Sequence, residues 1–384
     1  MRIRKIGMHT VRIPLVALED GGISPYVGSR DFQAGTQNGT TYALSNVFKV
    51  ETDDGLTGWG EANPVISLAV SRQMLDEFIR PMLIGRDPFR LREITALFSG
   101  IYNPQLYLRT FLSGIEMACW DLKGKAAGRS VCDLLGGPVR TEMPVAYCLG
   151  MLAVDTLREK VRQVCEAGFQ CIKLKGGLSV ADDIQRTKAA REAGGGRLRL
   201  RLDANQSYDV PSALHYLHAV EDCGLEYVEQ PLPIRHAADL AVLRARTCVP
   251  LAINEDCYIP GGLLEHIRAG AVDAAVVDLE ALGGIGPLAK LGIMAGEAGL
   301  PLAHHCGFDM GIKTAAILQT VCACESFSYA TDSTYHAHAD DLLAARLPLQ
   351  NGAYRLPDAP GLGIEVDEEK VRFYSIERCE RRFF

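Results

Sequence analysis

Apolar and polar positions alternate with a period of two over residues 2–14 and again over 42–51, the rhythm of strands with one buried face. Asp53-Asp54-Gly55 interrupts the alternation between 41–51 and 56–61 and predicts a turn, so this region reads as an antiparallel meander. The period then lengthens. Phe111, Ile115, Cys119 and Leu122 recur at steps of three and four, which predicts a helix, and Gly136-Gly137-Pro138 marks the end of the helical stretch. A meander followed by helices is an α+β arrangement.

From Pro144 onward short apolar runs and helical patterns take turns. Candidate strands begin near Val145, Gln170, Arg199, Tyr227, Leu251, Ala274, Leu302 and Phe327, with helical spacing between them, as in 154–167 and 211–223. Eight strands with helices in the intervals predict an α/β fold, a modified TIM barrel of the (β/α)7β kind, which needs roughly 250 residues or fewer. The expected division is an α+β capping domain over 1–140, the barrel over 141–356, and a tail over 357–384. An alternating piece at 370–375 has no place in the barrel, so the tail is expected to return to the capping domain.

Composition narrows the class of function. The chain has 384 residues, 48% of them apolar, enough for one large core and a smaller domain. A net charge of −7 without any basic block argues against a nucleic-acid partner. No apolar stretch follows Met1-Arg2-Ile3-Arg4-Lys5-Ile6 as in a signal peptide, and no run is long enough for a membrane span, so a cytoplasmic location is expected. Twelve cysteines sit mostly inside apolar runs, such as Cys119 and Cys171. None forms a C-x₂-C pair, so they read as buried thiols.

Chemistry collects at the ends of the candidate strands. Asp203, Glu229 and Glu255 stand 26 residues apart twice over, each closing a short apolar run, which is what successive strand-helix units give when each delivers an acid to one rim. Three hard oxygen ligands on a rim describe a divalent metal site, most simply Mg²⁺. In Cys171-Ile172-Lys173-Leu174-Lys175 the strand period puts both lysines on one face, where mutual repulsion and burial are expected to lower the pKa of one of them. Asp278 and His305 end the sixth and seventh runs, and a carboxylate there can orient the imidazole and stabilise its protonated form.

Several motifs together resemble the mandelate racemase and muconate lactonizing enzymes of the enolase superfamily. They are Gly114-Ile115-Glu116-Met117-Ala118-Cys119-Trp120-Asp121-Leu122-Lys123-Gly124-Lys125 with Leu134-Leu135-Gly136-Gly137, then Lys173-x-Lys175, Asp203-Ala204-Asn205, Glu229-Gln230-Pro231, Asp278 before Gly283-Gly284, and His305. The resemblance covers nearly the whole chain. It implies Mg²⁺ held by Asp203, Glu229 and an acid at the fifth strand, and removal of the proton α to a carboxylate through a metal-stabilised enediolate. It further implies Lys175 as base on one face, Lys173 as its electrostatic modulator, and His305, oriented by Asp278, on the other. Muconate-lactonizing relatives typically carry lysine where Asp278 stands, which turns the reading toward racemases and acid-sugar dehydratases. A homo-oligomer acting on a small carboxylate is also implied.

The fifth-strand position stays open. Ile253-Asn254-Glu255-Asp256 offers three candidates, of which Glu255 keeps the spacing and brings a full charge. Asp332 falls after the apparent eighth strand, where relatives often contact the substrate carboxylate; a turn-forming Asp explains it equally well. Gly283-Gly284-Ile285-Gly286 opens a helix and can cradle phosphate, although no Lys-Ser or Lys-Thr follows. A loop over about 17–40 is expected to cover the barrel mouth, with Tyr26 and Arg30 among its substrate-binding groups and Asp31, Gln33 and Gln37 beside them. Its polar character favours a polyhydroxylated acid, hence dehydration of a sugar acid to a 2-keto-3-deoxy acid, with racemisation or epimerisation as the alternative.

Overall fold

A computed structural model describes residues 1–16, 34–37, 40–64, 67–99 and 106–376. Tyr26, Arg30, Asp31 and Gln33 lie outside the described residues, as does the side chain of Gln37.

The meander is a sheet of four antiparallel strands, β1 (Ile3–Pro14), β2 (Ala34–Gln37), β3 (Thr40–Thr52) and β4 (Thr57–Ala62), with β3 central between β1 and both β2 and β4. Helices α1 (Leu68–Met74), α2 (Leu91–Ser99) and α3 (Leu106–Ala127) follow. The long helix α3 lies directly on β4, and glycines permit the approach: a Cβ on Gly60 would overlap the Gly114 carbonyl, and one on Gly58 the Ala118 carbonyl.

The barrel strands are β5 (Glu142–Leu149), β6 (Cys171–Lys175), β7 (Arg199–Asp203), β8 (Tyr227–Glu229), β9 (Leu251–Ile253), β10 (Ala274–Val277), β11 (Leu302–His304) and β12 (Thr331–Ser333). Each pairs in parallel with the next from β5 to β11, and β12 pairs with β5. Leu302 closes the ring by donating its N–H to Ser326 O and accepting from Tyr329 N. A principal helix fills each of the seven intervals: α4 (Val154–Glu166), α5 (Val180–Gly194), α6 (Val210–Ala219), α7 (Ala237–Arg244), α8 (Gly262–Arg268), α9 (Ile285–Glu297) and α10 (Gly311–Ala323). The fold is therefore the expected (β/α)7β barrel with an α+β cap. Outward-facing Ile172, Leu174, Val228, Ile253, Ala275 and Val277 join the main core under the helices. Inward-facing Tyr227, Ala252, Ala274, Val276 and Ala303 form a separate cluster inside the barrel. No helix among the described residues is long and apolar enough to cross a membrane.

Two expectations need correction. The eighth strand starts at Thr331, not near Phe327, because pairing with Val145–Tyr147 of β5 sets its place; Asp332 is inside that strand rather than beyond it. The tail piece at 370–375 is a helix, α11 (Glu368–Tyr374), with only Val371 buried. The Asp367 side chain accepts from Glu369 N and Lys370 N, and acids in the first turn complete the helix start. Just after this helix Ser375 bridges to Val11 of β1.

Candidate active site

Register explains which polar side chains meet at the barrel mouth. Lys175 stands level with Asp203, and Asp203 with Glu229, on three adjacent strands. Glu229 is level with Ala252, so Glu255 sits three residues higher, beyond the end of β9. The even chain spacing of the three acids thus does not give them even height.

Lys173 is fully buried. Its Nζ lies 2.9 Å from Glu229 Oε1 and 2.7 Å from Oε2, 2.8 Å from Asp332 Oδ2 and 3.1 Å from Asp203 Oδ2. Lys175 Nζ is 2.6 Å from both Asp203 Oδ2 and Asn205 Oδ1. Burial and the neighbouring ammonium push Lys175 down, yet Asp203 leaves it above its ordinary value, and Lys173 is likewise raised. The expected lowering of one lysine is therefore not found: the carboxylates outweigh the repulsion. Burial is also opposed at Asp203, which Lys173 and Lys175 hold well below the usual carboxylate range. Glu229 goes the other way, raised by burial and by the charge of Asp203.

Asp332 bonds Lys173 through one oxygen and Arg201 Nη1, at 3.2 Å, through the other. Arg201 is entirely buried within the barrel, donates to Ala330 O and Glu226 Oε2, and lies over the ring of Tyr227. Neither Arg201 nor Asn205 was singled out as a site residue from sequence. Arg201 has a legible signal, since it stands two residues before Asp203 and so shares its inward face.

Across the mouth, His305 Nδ1 is 3.3 Å from Asp278 Oδ2. Burial opposes the charged imidazole, but Asp278 raises its pKa above the ordinary value. Asp278 itself is held low, against burial, chiefly by Lys313 and His305. His305, Lys173, Lys175, Asn205, Asp332, Cys148 and Cys306 line one cavity of about 240 Å³.

The fifth-strand residues differ in what they have left to give. Asn254 Nδ2 donates to Val276 O at 2.9 Å and to Tyr258 Oη at 2.6 Å. Asp256 accepts from Gln230 Nε2 and Arg235 N. Among the described residues, Glu255 takes only a long contact from Asn205, 3.5 Å to Oε1, and its buried Oε2 has no hydrogen-bond partner. Glu229 Oε2, though close to Lys173, also receives no hydrogen bond of normal geometry. No three acids, histidines or cysteines among the described residues converge as a ready-made coordination shell. The donor set is nevertheless all hard oxygen, with a buried unpartnered oxygen on Glu255, and it fits a cation such as Mg²⁺.

The glycine-rich opening of α9 is filled. Glu116 of α3 accepts from Ile285 N at 2.8 Å and Gly286 N at 2.9 Å, with Trp120 Nε1 as a third donor. A protein carboxylate thus sits where a phosphate would.

Both parts of the chain match known proteins. Residues 32–136 match the mandelate racemase / muconate lactonizing enzyme N-terminal domain, and residues 156–370 match the enolase C-terminal domain-like family. The chain belongs to the mandelate racemase/muconate lactonizing enzyme family of the enolase superfamily. It is accordingly an enolase-superfamily enzyme. Similar family members include D-galactarolactone cycloisomerase of Agrobacterium fabrum, 32% identical over 84% of this chain and 89% of that protein. D-galactonate dehydratase of Variovorax paradoxus is 30% identical, over 84% and 89% respectively. The crystal structure of an isomerase from Streptomyces coelicolor superposes with a TM-score of 0.83 at 31% identity, covering 97% of this chain and 98% of that one.

Proposed function

We propose that this enzyme removes the proton α to the carboxylate of a sugar acid and dehydrates it to a 2-keto-3-deoxy acid. The observation that carries this reading is the shared cavity: a lysine from the second barrel strand and a carboxylate-bound imidazole from the seventh line the same 240 Å³ space. Lys175 takes the proton from C2. His305, held ready to carry a proton by Asp278, delivers it to the leaving hydroxyl at C3, so water departs and the enol left behind becomes the keto acid. Lys173, fixed by Asp332 and Glu229, adds positive charge beside Lys175. Asp203, Glu229 and Glu255 are the residues that would hold Mg²⁺. When bound, that cation supplies the positive charge that offsets both the Asp203 carboxylate and the charge building on the substrate as its proton leaves.

Likeness to a galactonate dehydratase and a galactarolactone cycloisomerase supports a sugar-acid substrate. The test is a panel of aldonates and aldarates, D-galactonate included, incubated with Mg²⁺ in deuterated water. A 2-keto acid carrying deuterium at C3 is expected. Exchange or inversion at C2 with no keto acid would replace this reading by the racemase or epimerase one, for which the same pair of groups on two sides of the substrate is suited.

A further inference from the structure

His305 and Asp278 rest on a cation that the proposed chemistry does not use. Lys313 comes from α10, a helix otherwise made of small, apolar and uncharged residues, and its side chain is fully buried. An ammonium so placed is costly unless matched by opposite charge. Its Nζ is matched three times, at 2.7 Å by Asp309 Oδ1, 2.8 Å by Glu280 Oε2 and 3.9 Å by Asp278 Oδ1. Among the described residues no other lysine or arginine lies within ion-pairing distance of these three carboxylates.

The other groups around Asp278 do not replace that charge. Its Oδ1 also accepts from Glu280 N at 2.6 Å and Ala281 N at 3.2 Å, which are neutral donors. His304, from β11, accepts from Leu279 N, and burial holds its imidazole down at about 4, so it is uncharged near neutrality. Tyr258 faces the same carboxylate as a neutral phenol, its pKa raised by burial. His305 itself is the group being held, at a long 3.3 Å. Glu280 extends the cluster to the capping sheet, since its Oε2 accepts from Asn63 N at 3.0 Å as well as from Lys313.

We propose that Lys313 is a positioning residue for His305: its buried ammonium keeps Asp278 in place as the ionised partner of the imidazole and ties that partner, through Glu280, to the capping domain. Without it three carboxylates would share one dry pocket. Like charges so close cannot all stay ionised, so the pocket would take up protons and its acids would turn toward one another, away from His305. The catalytic consequence rests on the proton-transfer role proposed for His305, whereas the effect on the His305–Asp278 bond does not.

The experiment is a proton NMR spectrum of histidine-labelled enzyme, in which the low-field imidazole N–H resonance of this bond is identified by its loss in His305→Asn. Lys313→Met is expected to abolish that resonance in folded protein. Lys313→Met/Asp309→Asn, which removes a cation and an anion together, keeps the test open if the single variant does not fold, and is expected to lack the resonance too. Retention of the resonance in either folded variant overturns the proposal, because a lysine that served stability alone would leave it in place. If D-galactonate is turned over, kcat in Lys313→Met should fall at least about tenfold with KM little changed, as for loss of a group that acts in the transition state. An enzyme inactive on every sugar acid but lacking the resonance in Lys313→Met would refute the proposed function and leave this inference standing.

Discussion

Two sets of buried carboxylates, one at the barrel mouth and one at the seam between cap and barrel, are made of the same residue types and treated in opposite ways. At the seam, Glu61 accepts from Met310 N, Lys313 N and Ser45 Oγ, Glu116 from Ile285 N, Gly286 N and Trp120 Nε1, and Asp121 from Trp59 N, Leu362 N and Lys125. Most of these donors are backbone N–H groups, two pairs of them at the starts of α9 and α10, and they cannot move away. At the mouth, Asp203, Glu229 and Asp332 are met chiefly by the side-chain ammonium groups of Lys173 and Lys175, while Glu255 keeps a buried oxygen without a partner among the described residues. A carboxylate satisfied by fixed backbone is part of the frame. One met by side-chain ammonium groups, beside a neighbour with an oxygen to spare, is open to a ligand.

Exchanging carboxylate for amide in each set gives the largest expected contrast. Glu229→Gln should lower turnover by at least about 10³-fold, in line with loss of a group acting at the developing charge. Its stability should hold or rise, because acids outnumber cations at the mouth and one fewer relieves repulsion. Glu116→Gln should do the reverse: its amide nitrogen must face a backbone N–H, leaving a buried donor unmatched at a cost of about 1–3 kcal/mol, with turnover near the parent value. Urea unfolding and keto-acid release measured on both variants decide the matter. A Glu229→Gln enzyme as active as the parent would erase the distinction.

A smaller effect separates neighbours at the fifth strand. Glu255→Gln should weaken Mg²⁺ binding by about 10–100-fold in calorimetry, since a charged hard ligand is lost. Asn254→Ala should bind Mg²⁺ as the parent does and instead lose about 1 kcal/mol of stability, because its amide nitrogen is already given to Val276 O and Tyr258. The opposite pattern would transfer the ligand role to Asn254.

What the chain disclosed on reading follows from periodicity. Strand ends at Lys175, Asp203 and Glu229 were legible because a period of two fixes which residues face inward, and a parallel barrel brings those ends to one rim. Height along the rim was not legible: Glu255 keeps the chain spacing yet sits above the level of Glu229, since helix and loop lengths trade against each other between strands. The carboxylates around the lysine pair were not legible, because sequence shows which residues share a strand but not how many acids close around them. The partners of Glu116 and Lys313 were hidden for a related reason. Glu116 lies in the helix that carries a family motif and Lys313 in one of unremarkable pattern, yet each acts on an element more than 30 residues away, Ile285 and Asp278 respectively.

A pH dependence of stability is also expected at the seam, where Glu61 and Glu116 carry it. Burial pushes Glu61 up to about 8, although its two backbone donors resist, and pushes Glu116 to about 7, from ordinary values near 4.5. An acid whose pKa is raised by folding binds its proton more tightly in the folded chain, so the stabilisation it brings is full below the unfolded value. It is lost as pH rises through the folded one. Stability should therefore decline between about pH 5 and 8, with a slope of up to about 1.4 kcal/mol per pH unit for each such group. Glu61→Met removes the group that titrates latest. The variant should be less stable at every pH, since Met310 N and Lys313 N lose their acceptor, but its stability should change less between pH 7 and 8 than that of the parent. Unfolding in guanidinium across that interval measures the slope directly. An unchanged slope would mean that the backbone donors keep Glu61 ionised throughout.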